Sequence, residues 1–383
     1  MSRKKKSKKN TIIIITINKD IFCNPNIIYF LRNISFNKKV VILSHSKQDF
    51  SPPDDLHHIQ IFNYPLYFGS NLIKIFDVYK NYFKIFKLLS ESNIILAIDP
   101  DGLIQACKWK FLSLNKSKIV YWSFEIVIHE ELISKLSRLK KKIEIICSKL
   151  ISLIIVQDRA RKKLLFDENK IQSDKETVLI PVAPLKYKSC IFVNNTQKTI
   201  LFSGSVAVWT GIDDLLLCID AFNFHNYRLH IHSRYILNLD DPLYIKIKKF
   251  EEKGLLTYSD EYLIEEEKYL EFISRFDIGL VYYKPIFKGG GLGKNITNIG
   301  LSSGKFSSYL ACGIPVIVSF DPTYFDLRKT YMFGEIYDDF KQIPELMNKI
   351  TNNYNEYVKE ANRLYENELN PIIKFRYFES FIS

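Results

Sequence analysis

The sequence predicts an α/β protein with two doubly wound domains in tandem. Short, β-branched and nearly all-apolar runs recur along the chain, and helix-length segments lie between them. The same pattern restarts after a break rich in Pro, Asn and Lys at 184–198. Runs without polar positions are typical of strands in a parallel sheet that helices cover on both faces. With 383 residues, the chain is long enough for two domains of ordinary size.

The first domain is predicted over residues 11–190. Its strands are the apolar runs at 11–17, 40–45, 93–99, 118–124, 153–158 and 177–182. Helices are predicted over 70–91, where Ser70 is a candidate N-cap, and over 130–150. Strand and helix alternate, which favours a parallel sheet.

The second domain is predicted over residues 196–355. Its strands are predicted at 199–205, 227–233, 276–285 and 314–319, and its helices at 212–224 and 302–312. Gly313 ends the second of these helices. Residues 356–383 form a C-terminal helix that we expect to cross back to the first domain.

Composition and charge exclude a largely disordered chain, because 47% of the residues are apolar. The net charge is +12, and residues 1–10 carry six of the basic groups on a short tail predicted to be disordered. Such a tail attracts anionic partners such as phospholipid or nucleic acid, or it serves only solubility. Both interpretations remain open.

Cysteine usage and hydropathy indicate a cytoplasmic protein. None of the six cysteines has C-x-x-C spacing, and most lie in apolar runs, as expected of reduced thiols. No run is long enough to span a membrane. The apolar run 11–17 follows a basic start but lacks the length and cleavage site of a signal peptide.

The segment from Ser302 to Ile317 carries the clearest chemistry. Ser302, Ser303 and Gly304 precede a helix, so free backbone N–H groups and the helix dipole offer an anion site. Lys305 adds a positive charge in the first turn, and a phosphate or diphosphate is the natural guest. The alternative is an ordinary capped helix without a ligand.

This segment resembles the donor-site region of GT-B glycosyltransferases. Residues 309–317, YLACGIPVI, match the family pattern A-x-G-x-P-V-I, and 302–305 resemble an S-S-G-K variant of bacterial surface-polysaccharide transferases. The resemblance implies two Rossmann-like domains facing a cleft, with a nucleotide-sugar donor on the second and an acceptor on the first. It implies donor contacts from Ser302, Ser303, Gly304, Lys305 and Tyr309.

One departure concerns the glutamate pair that many retaining members carry in this helix region. The matching positions here are Gly300 and Ser308, neither of which is a carboxylate. The retaining or inverting outcome therefore stays open, and so does a catalytically inactive scaffold.

Three further residues are donor-site candidates. Gly204 follows the first strand of the second domain, where a glycine allows close approach to a ligand. Arg234 lies where the strand 227–233 meets the predicted cleft and could bind phosphate in bidentate fashion. Lys294 ends a glycine-rich stretch that fails the P-loop pattern, since Lys288 and Asn295 occupy required positions. In the resembling fold this loop faces the donor diphosphate.

The catalytic base is sought in the first domain. Asp101, Glu125 and His129 follow predicted strands, and an inverting transferase needs a base to deprotonate the acceptor hydroxyl. The sequence does not choose among them. A D-x-D metal site at Asp99 and Asp101, and a metal pair at His230 and His232, are weaker alternatives, and no metal or other cofactor is expected to be obligatory.

The expected partners are a nucleotide sugar and a saccharide acceptor, carried by a lipid, in lipopolysaccharide or capsule synthesis. Basic residues among apolar ones in helix 130–150, together with the tail, suggest docking at the inner face of the membrane; a solvated helix face is the alternative. A nucleic-acid-binding protein is the competing hypothesis, although no recognisable nucleic-acid module is present.

Overall fold

The computed structural model divides the chain into two compact units. The first comprises Met1–Val156, Lys162–Ile180 and Phe375–Ser383, and the second comprises Gln157–Arg161 and Pro181–Lys374. The structure describes residues 11–17, 21–34, 38–44, 52–63, 83–114, 116–187, 198–219, 227–261, 263, 265–287 and 291–382. The predicted basic tail and most of the predicted helix 70–91 lie outside the described residues.

The first unit contains a seven-stranded parallel sheet in the order β3-β2-β1-β4-β5-β6-β7. Its strands are β1 Thr11–Thr16, β2 Lys39–Ser44, β3 Gln60–Asn63, β4 Ser92–Ile98, β5 Lys118–Trp122, β6 Ile151–Val156 and β7 Thr177–Leu179. Its helices are α1 Pro25–Ile34, α2 over 83–91, α3 Asp99–Ser113, α4 Lys135–Ser148 and α5 Arg159–Asn169.

Both faces of this sheet are buried, which explains its all-apolar strands. Along β1, Ile12 and Ile14 enter one hydrophobic cluster, and Ile13 and Ile15 enter the other. Successive side chains of a strand point to opposite faces, so each cluster is the core of one face.

The C-terminal residues complete one of these clusters. Phe378 stacks on Phe30, with ring centroids 5.3 Å apart, and Phe375 meets Trp122 edge-on at 5.7 Å. Both phenylalanines are fully buried in the first unit, so the aromatic end of the chain is part of its core.

The second unit contains a six-stranded parallel sheet in the order β10-β9-β8-β11-β12-β13. Its strands are β8 Lys198–Gly204, β9 Tyr227–Ser233, β10 Leu256–Ser259, β11 Ile278–Val281, β12 Val316–Ser319 and β13 Gly334–Tyr337. Its helices are α6 Ile212–Leu217, α7 Pro242–Glu252, α8 Glu266–Ile273, α9 Lys294–Thr297, α10 Gly304–Ala311, α11 Pro322–Arg328, α12 Ile343–Asn352, α13 Tyr354–Leu364 and α14 Pro371–Lys374.

The predicted C-terminal helix over 356–383 is a series of shorter elements. After α13, a π-helical turn spans Tyr365–Leu369, and α15 Arg376–Ile382 follows α14. Pro371 begins α14 at a position where its missing N–H is tolerated.

Three strands were not predicted from the sequence, and all three are short and lie at a sheet edge. They are β3, β10 and β13, of four residues each. An edge strand has one unpaired side and carries polar residues, such as Thr257 and Ser259 in β10. It therefore lacks the continuous apolar run by which the central strands were recognised.

Candidate functional site

The candidate site lies in the second unit, where the strand order of the sheet reverses. Strands β8 and β11 are neighbours at the centre of the sheet, although β9 and β10 intervene in the sequence. In open α/β sheets, ligands bind outside the carboxyl ends of the strands at such a reversal. Gly204 ends β8 there, and Tyr282 to Lys284 follow β11.

The side chain of Lys305 is buried at this reversal of the strand order. Its Nζ lies 4.1 Å from the ring centroid of Phe202, in β8, and 4.9 Å from that of Tyr283, after β11. The ammonium group is buried and makes no hydrogen bond within the described part of the chain. Burial lowers the pKa of Lys305 from its ordinary 10.5 to about 7.

Gly204 makes room for this lysine. It has a φ of 130°, and a Cβ built on it would lie 2.6 Å from the Lys305 Cε atom. Any side chain at position 204 would therefore displace Lys305. The carbonyl of Gly204 also accepts a hydrogen bond of 2.9 Å from the backbone N–H of Arg234. The Arg234 side chain is exposed, so a second cation is available at the same edge of the sheet.

The N-terminus of α10 adds backbone donors to these cations. Ser303 is the N-cap, and its hydroxyl accepts a hydrogen bond of 3.3 Å from Phe306 N–H. The Tyr283 hydroxyl is 2.9 Å from the same oxygen. The first N–H groups of a helix have no partner within it, so Gly304 and Lys305 present theirs where the positive end of the helix dipole lies.

Tyr309 has a structural role in this arrangement. It is completely buried, its hydroxyl donates a hydrogen bond of 3.0 Å to Leu201 O, and it accepts one of 3.0 Å from Ser203 N–H. Both partners belong to the backbone of β8. The side chain therefore holds α10 against the sheet. The resemblance implied that Tyr309 contacts the donor, but the side chain has no exposed surface with which to do so.

The remaining predicted donor residues flank this centre. Ser302 ends a short 3-10 turn and is partly buried next to Ser303. Lys294 begins α9 and is also partly buried. The glycines at 289 and 290 lie outside the described residues.

Two buried carboxylates lie near Gly300: Asp158, at the end of the predicted strand 153–158, where acceptor-site residues are expected, and Asp321, which was not identified from the sequence. Asp158 accepts a hydrogen bond of 2.9 Å from Leu301 N–H, and Asp321 accepts one of 3.0 Å from Gly300 N–H. A Cβ at Gly300 would lie 2.3 Å from Asp158 Oδ2. The absence of a side chain at Gly300 thus leaves room for the Asp158 carboxylate. Burial raises the pKa of Asp321 to about 6. Only the folded chain brings Asp158 to Gly300, because the two residues are distant in the sequence.

His232 and His230 are held as neutral residues that connect strands. The Glu261 carbonyl can only accept, so His232 Nε2 donates to it at 3.1 Å, and Nδ1 accepts from the Ser203 hydroxyl at 2.9 Å. His230 lies 2.7 Å from the Thr257 hydroxyl, and burial lowers its pKa to about 4. Each imidazole is committed to partners in neighbouring strands or loops.

In the first unit, the candidate bases lie at the carboxyl ends of β4 and β5. Asp101 is in the first turn of α3, 3.2 Å from Lys140 Nζ. Glu125 and His129 are exposed in the segment after β5. Asp99 Oδ1 accepts hydrogen bonds from Phe124 and Glu125 N–H at 2.8 and 2.9 Å, which ties the two strand ends together.

The two aspartates of the D-x-D sequence therefore face different partners. Asp99 binds backbone N–H groups, and Asp101 pairs with a lysine. Among the residues that the structure describes, no group of three His, Cys, Asp or Glu side chains is placed to hold a metal ion. The described cysteines are free thiols.

No protein-family model matches this chain, and no curated protein matches it. Solved structures do match. HepE from Anabaena, in complex with UDP and glucose, aligns over 97% of this chain and 99% of its own, with a TM-score of 0.69 and 13% identity. Sucrose-phosphate synthase from Thermosynechococcus elongatus aligns over the same shares, with a TM-score of 0.68 and 12% identity. The chain has the GT-B fold.

A third GT-B structure, the lipopolysaccharide outer core galactosyltransferase WaaB, matches over 97% of this chain and 99% of its own with a TM-score of 0.62 and 14% identity. The prediction of two Rossmann-like domains is thus confirmed. The assignment of Ser302 to Lys305 as an S-S-G-K variant stays a prediction. Within the described residues, no helix is long and apolar enough to cross a membrane.

Proposed function

We propose that this chain is a glycosyltransferase that takes a sugar from a nucleoside-diphosphate donor and passes it to a saccharide acceptor. One observation carries the proposal: the Lys305 ammonium is buried at the strand-order reversal, and no residue that the structure describes accepts a hydrogen bond from it. A buried cation without a hydrogen-bond acceptor is costly, and an anionic ligand would supply the acceptor. The HepE structures of this fold were solved with UDP and with UDP-glucose.

The groups around Lys305 suit a diphosphate better than a single small anion. Lys305 offers a cation, the α10 N-terminus offers backbone N–H groups, and Arg234 offers an exposed guanidinium beside Gly204. Cleavage of the sugar–phosphate bond leaves negative charge on the nucleoside diphosphate. Fixed donors and cations that face this developing charge lower the barrier. In this proposal the chain's own cations serve that purpose, and no metal is obligatory.

We place the acceptor on the first unit, where Asp101, Glu125 and His129 are the candidate bases at the strand ends. Each is partly or fully exposed, as a base that must reach an acceptor hydroxyl should be. We further propose a lipid-linked saccharide as acceptor, in surface-polysaccharide assembly on the cytoplasmic side of a membrane. WaaB, which has the same fold, is a lipopolysaccharide outer core galactosyltransferase.

The test is a thermal-shift series with UDP, GDP, ADP and CMP and their sugar conjugates, with and without Mg²⁺ or Mn²⁺. A ligand that binds only the folded state raises the melting temperature. We expect one nucleotide to do so without metal, and Lys305→Met to abolish the shift. Lys253→Met is the matched control, because Lys253 is exposed in the same unit.

Three outcomes would count against the proposal. If no nucleotide raises the melting temperature, the chain does not bind a nucleotide donor at Lys305. A shift that survives Lys305→Met would place the ligand elsewhere. A shift that requires metal and disappears in Asp101→Ala would favour the D-x-D site.

A catalytically inactive relative is the second candidate, because Gly300 and Ser308 stand where retaining members carry glutamates. It predicts nucleotide binding without turnover. The measurement that distinguishes the two candidates uses the nucleotide sugar that raises the melting temperature, together with a mixture of acceptors. An active transferase releases the nucleoside diphosphate, and an inactive relative does not.

A further inference from the structure

Helix α4 exposes its apolar face. Its sequence places apolar residues three or four apart on one side. Those side chains are exposed: Ile133, just before the helix, by 74%, Leu136 by 66%, Leu139 by 54%, Ile143 by 38%, Ile146 by 64% and Leu150, just after it, by 50%. An ordinary surface helix would bury this stripe.

The opposite face of α4 is charged and buried. Lys141 and Glu144 are 1% exposed, and Lys141 Nζ lies 3.0 Å from Glu144 Oε2. The Asn169 side chain donates a hydrogen bond of 2.7 Å to the same carboxylate, and Tyr121 OH lies 3.4 Å from it. Rotating the helix to bury its leucines would expose Lys141 and Glu144 and leave the buried Asn169 and Tyr121 side chains without these hydrogen-bond partners. The buried pair thus keeps the apolar stripe outward.

The end of α3 extends the apolar surface. Asp101 and Lys140 form one contact between α3 and α4, and Cys107 Sγ lies 3.7 Å from Cys147 O. The two helices therefore run side by side in the same direction. Beyond these contacts, α3 ends with three exposed side chains: Phe111 by 79%, Leu112 by 51% and Leu114 by 87%.

Leu114 is the least expected of these residues. It caps α3 with a φ of 47°, a left-handed conformation that disfavours residues with a side chain. Folding alone would favour glycine here. A leucine at this position adds a further exposed apolar side chain at the end of α3.

Cations flank the apolar stripe. The exposed basic residues of α4 and its flank are Lys135, Arg138, Lys140, Lys142 and Lys149. The only acidic residue of α4, Glu144, is buried. An apolar stripe edged by lysines and arginines complements a bilayer with anionic headgroups, because the apolar side chains enter the acyl boundary and the cations reach the headgroups.

We propose that this α3–α4 face, formed by the exposed apolar residues of 111–114 and 133–150 and their flanking cations, docks on a membrane that contains anionic phospholipid. The partner is the lipid surface itself. The proposal rests on the first unit alone, so it stands or falls independently of the donor site.

The test is co-sedimentation of the full chain with vesicles of phosphatidylcholine alone or with one third phosphatidylglycerol. We expect binding to the anionic vesicles only. Leu136→Ser, Leu139→Ser and Ile146→Ser combined should weaken it at least tenfold, and so should Lys135→Gln, Lys142→Gln and Lys149→Gln combined. The matched control combines Leu217→Ser, Ile245→Ser and Ile372→Ser, which are 76%, 55% and 51% exposed in the second unit, and should bind normally.

Two results would overturn the proposal. Undiminished binding of the α4 serine variant, with loss of binding when the six basic residues of 1–10 become Gln, would assign the interaction to the tail. A dimer of the full chain that dissociates in the serine variant would show that a second copy covers the face. The serine substitutions replace exposed side chains, and an unchanged melting temperature confirms that each variant folds.

Discussion

Gly204 and Lys305 compete for one space at the carboxyl end of β8: a β-carbon at position 204 would lie 2.6 Å from Lys305 Cε. The glycine lets the lysine reach across the sheet between Phe202 and Tyr283. The two residues are distant in the sequence and belong to elements that meet only in the folded unit. Because Gly204 leaves this space free, the Lys305 ammonium lies beside the carboxyl end of β8, next to the N-terminus of its own helix.

Removing the Lys305 charge should stabilise the ligand-free protein. Among the described residues none accepts a hydrogen bond from this buried ammonium, and such a group costs about 1–3 kcal/mol. Lys305→Met keeps the length of the side chain and should raise the melting temperature of the ligand-free protein while eliminating the nucleotide-induced shift. A lower melting temperature would mean that the contacts of the ammonium with the Phe202 and Tyr283 rings outweigh the cost of its burial.

Diphosphate binding should take up a proton above neutral pH. Burial lowers the pKa of Lys305 to about 7, and an anion beside it would raise this pKa again. Between the two values the free protein lacks a proton that the complex holds, so affinity should fall by up to about tenfold per pH unit.

Isothermal titration calorimetry at a pH of about 8.5, in two buffers of different ionisation enthalpy, measures this uptake. The same shift makes the stability of the ligand-free protein depend on pH. The pKa of Lys305 is lower in the folded chain than in the unfolded chain, so the free energy of unfolding rises as the pH rises from about 7 towards 10.5. Lys305→Arg, which stays charged, should bind without proton uptake. Equal heats in both buffers for the unaltered protein would contradict the prediction.

Gly204→Ala should weaken nucleotide binding more than it lowers stability. The new methyl group would push Lys305 away from the site, and the φ of 130° adds strain. Gly254→Ala separates the two effects, because Gly254 also has a positive φ, of 71°, but a Cβ there would meet no atom within 4 Å. That control should cost about 1 kcal/mol of stability and leave the dissociation constant unchanged. Equal affinities of the two variants would refute the role of Gly204.

Ser303→Ala should loosen the start of α10. It removes the N-cap hydrogen bond to Phe306 N–H and the contact with Tyr283, which costs about 1 kcal/mol. Because the N–H groups of α10 then lose their fixed direction, nucleotide affinity should fall as well. Ser134→Ala removes the equivalent cap of α4, where Ser134 accepts from Ser137 N–H at 3.0 Å. Chemical denaturation should show similar losses, with affinity lowered only by Ser303→Ala.

The sequence by itself determined the central strands and the class of fold. Strands such as β1 and β12 are buried almost throughout, so their apolar side chains carry the signal of burial. The sequence also predicts Gly204, Arg234 and Ser302 to Lys305 as donor-site residues, because strand ends and helix starts have local chemical signatures, and this assignment stays a prediction. The strands β3, β10 and β13 carry no such signal, because each is only four residues long and includes polar residues.

The tertiary structure alone decided which of these residues are free to act. Tyr309 looked like a ligand contact but is tied to the backbone of β8. Asp158 was expected at a strand end that lines an acceptor site and Asp321 showed no motif, yet both carboxylates hold the turn at Gly300. For helix 130–150 the sequence left a membrane-surface face and a solvated face open, and the exposure of Leu136 and Ile146 shows that its apolar side faces outward. The Lys141–Glu144 pair on the opposite side is local, but its burial depends on contacts with distant residues such as Asn169, which a linear pattern does not contain.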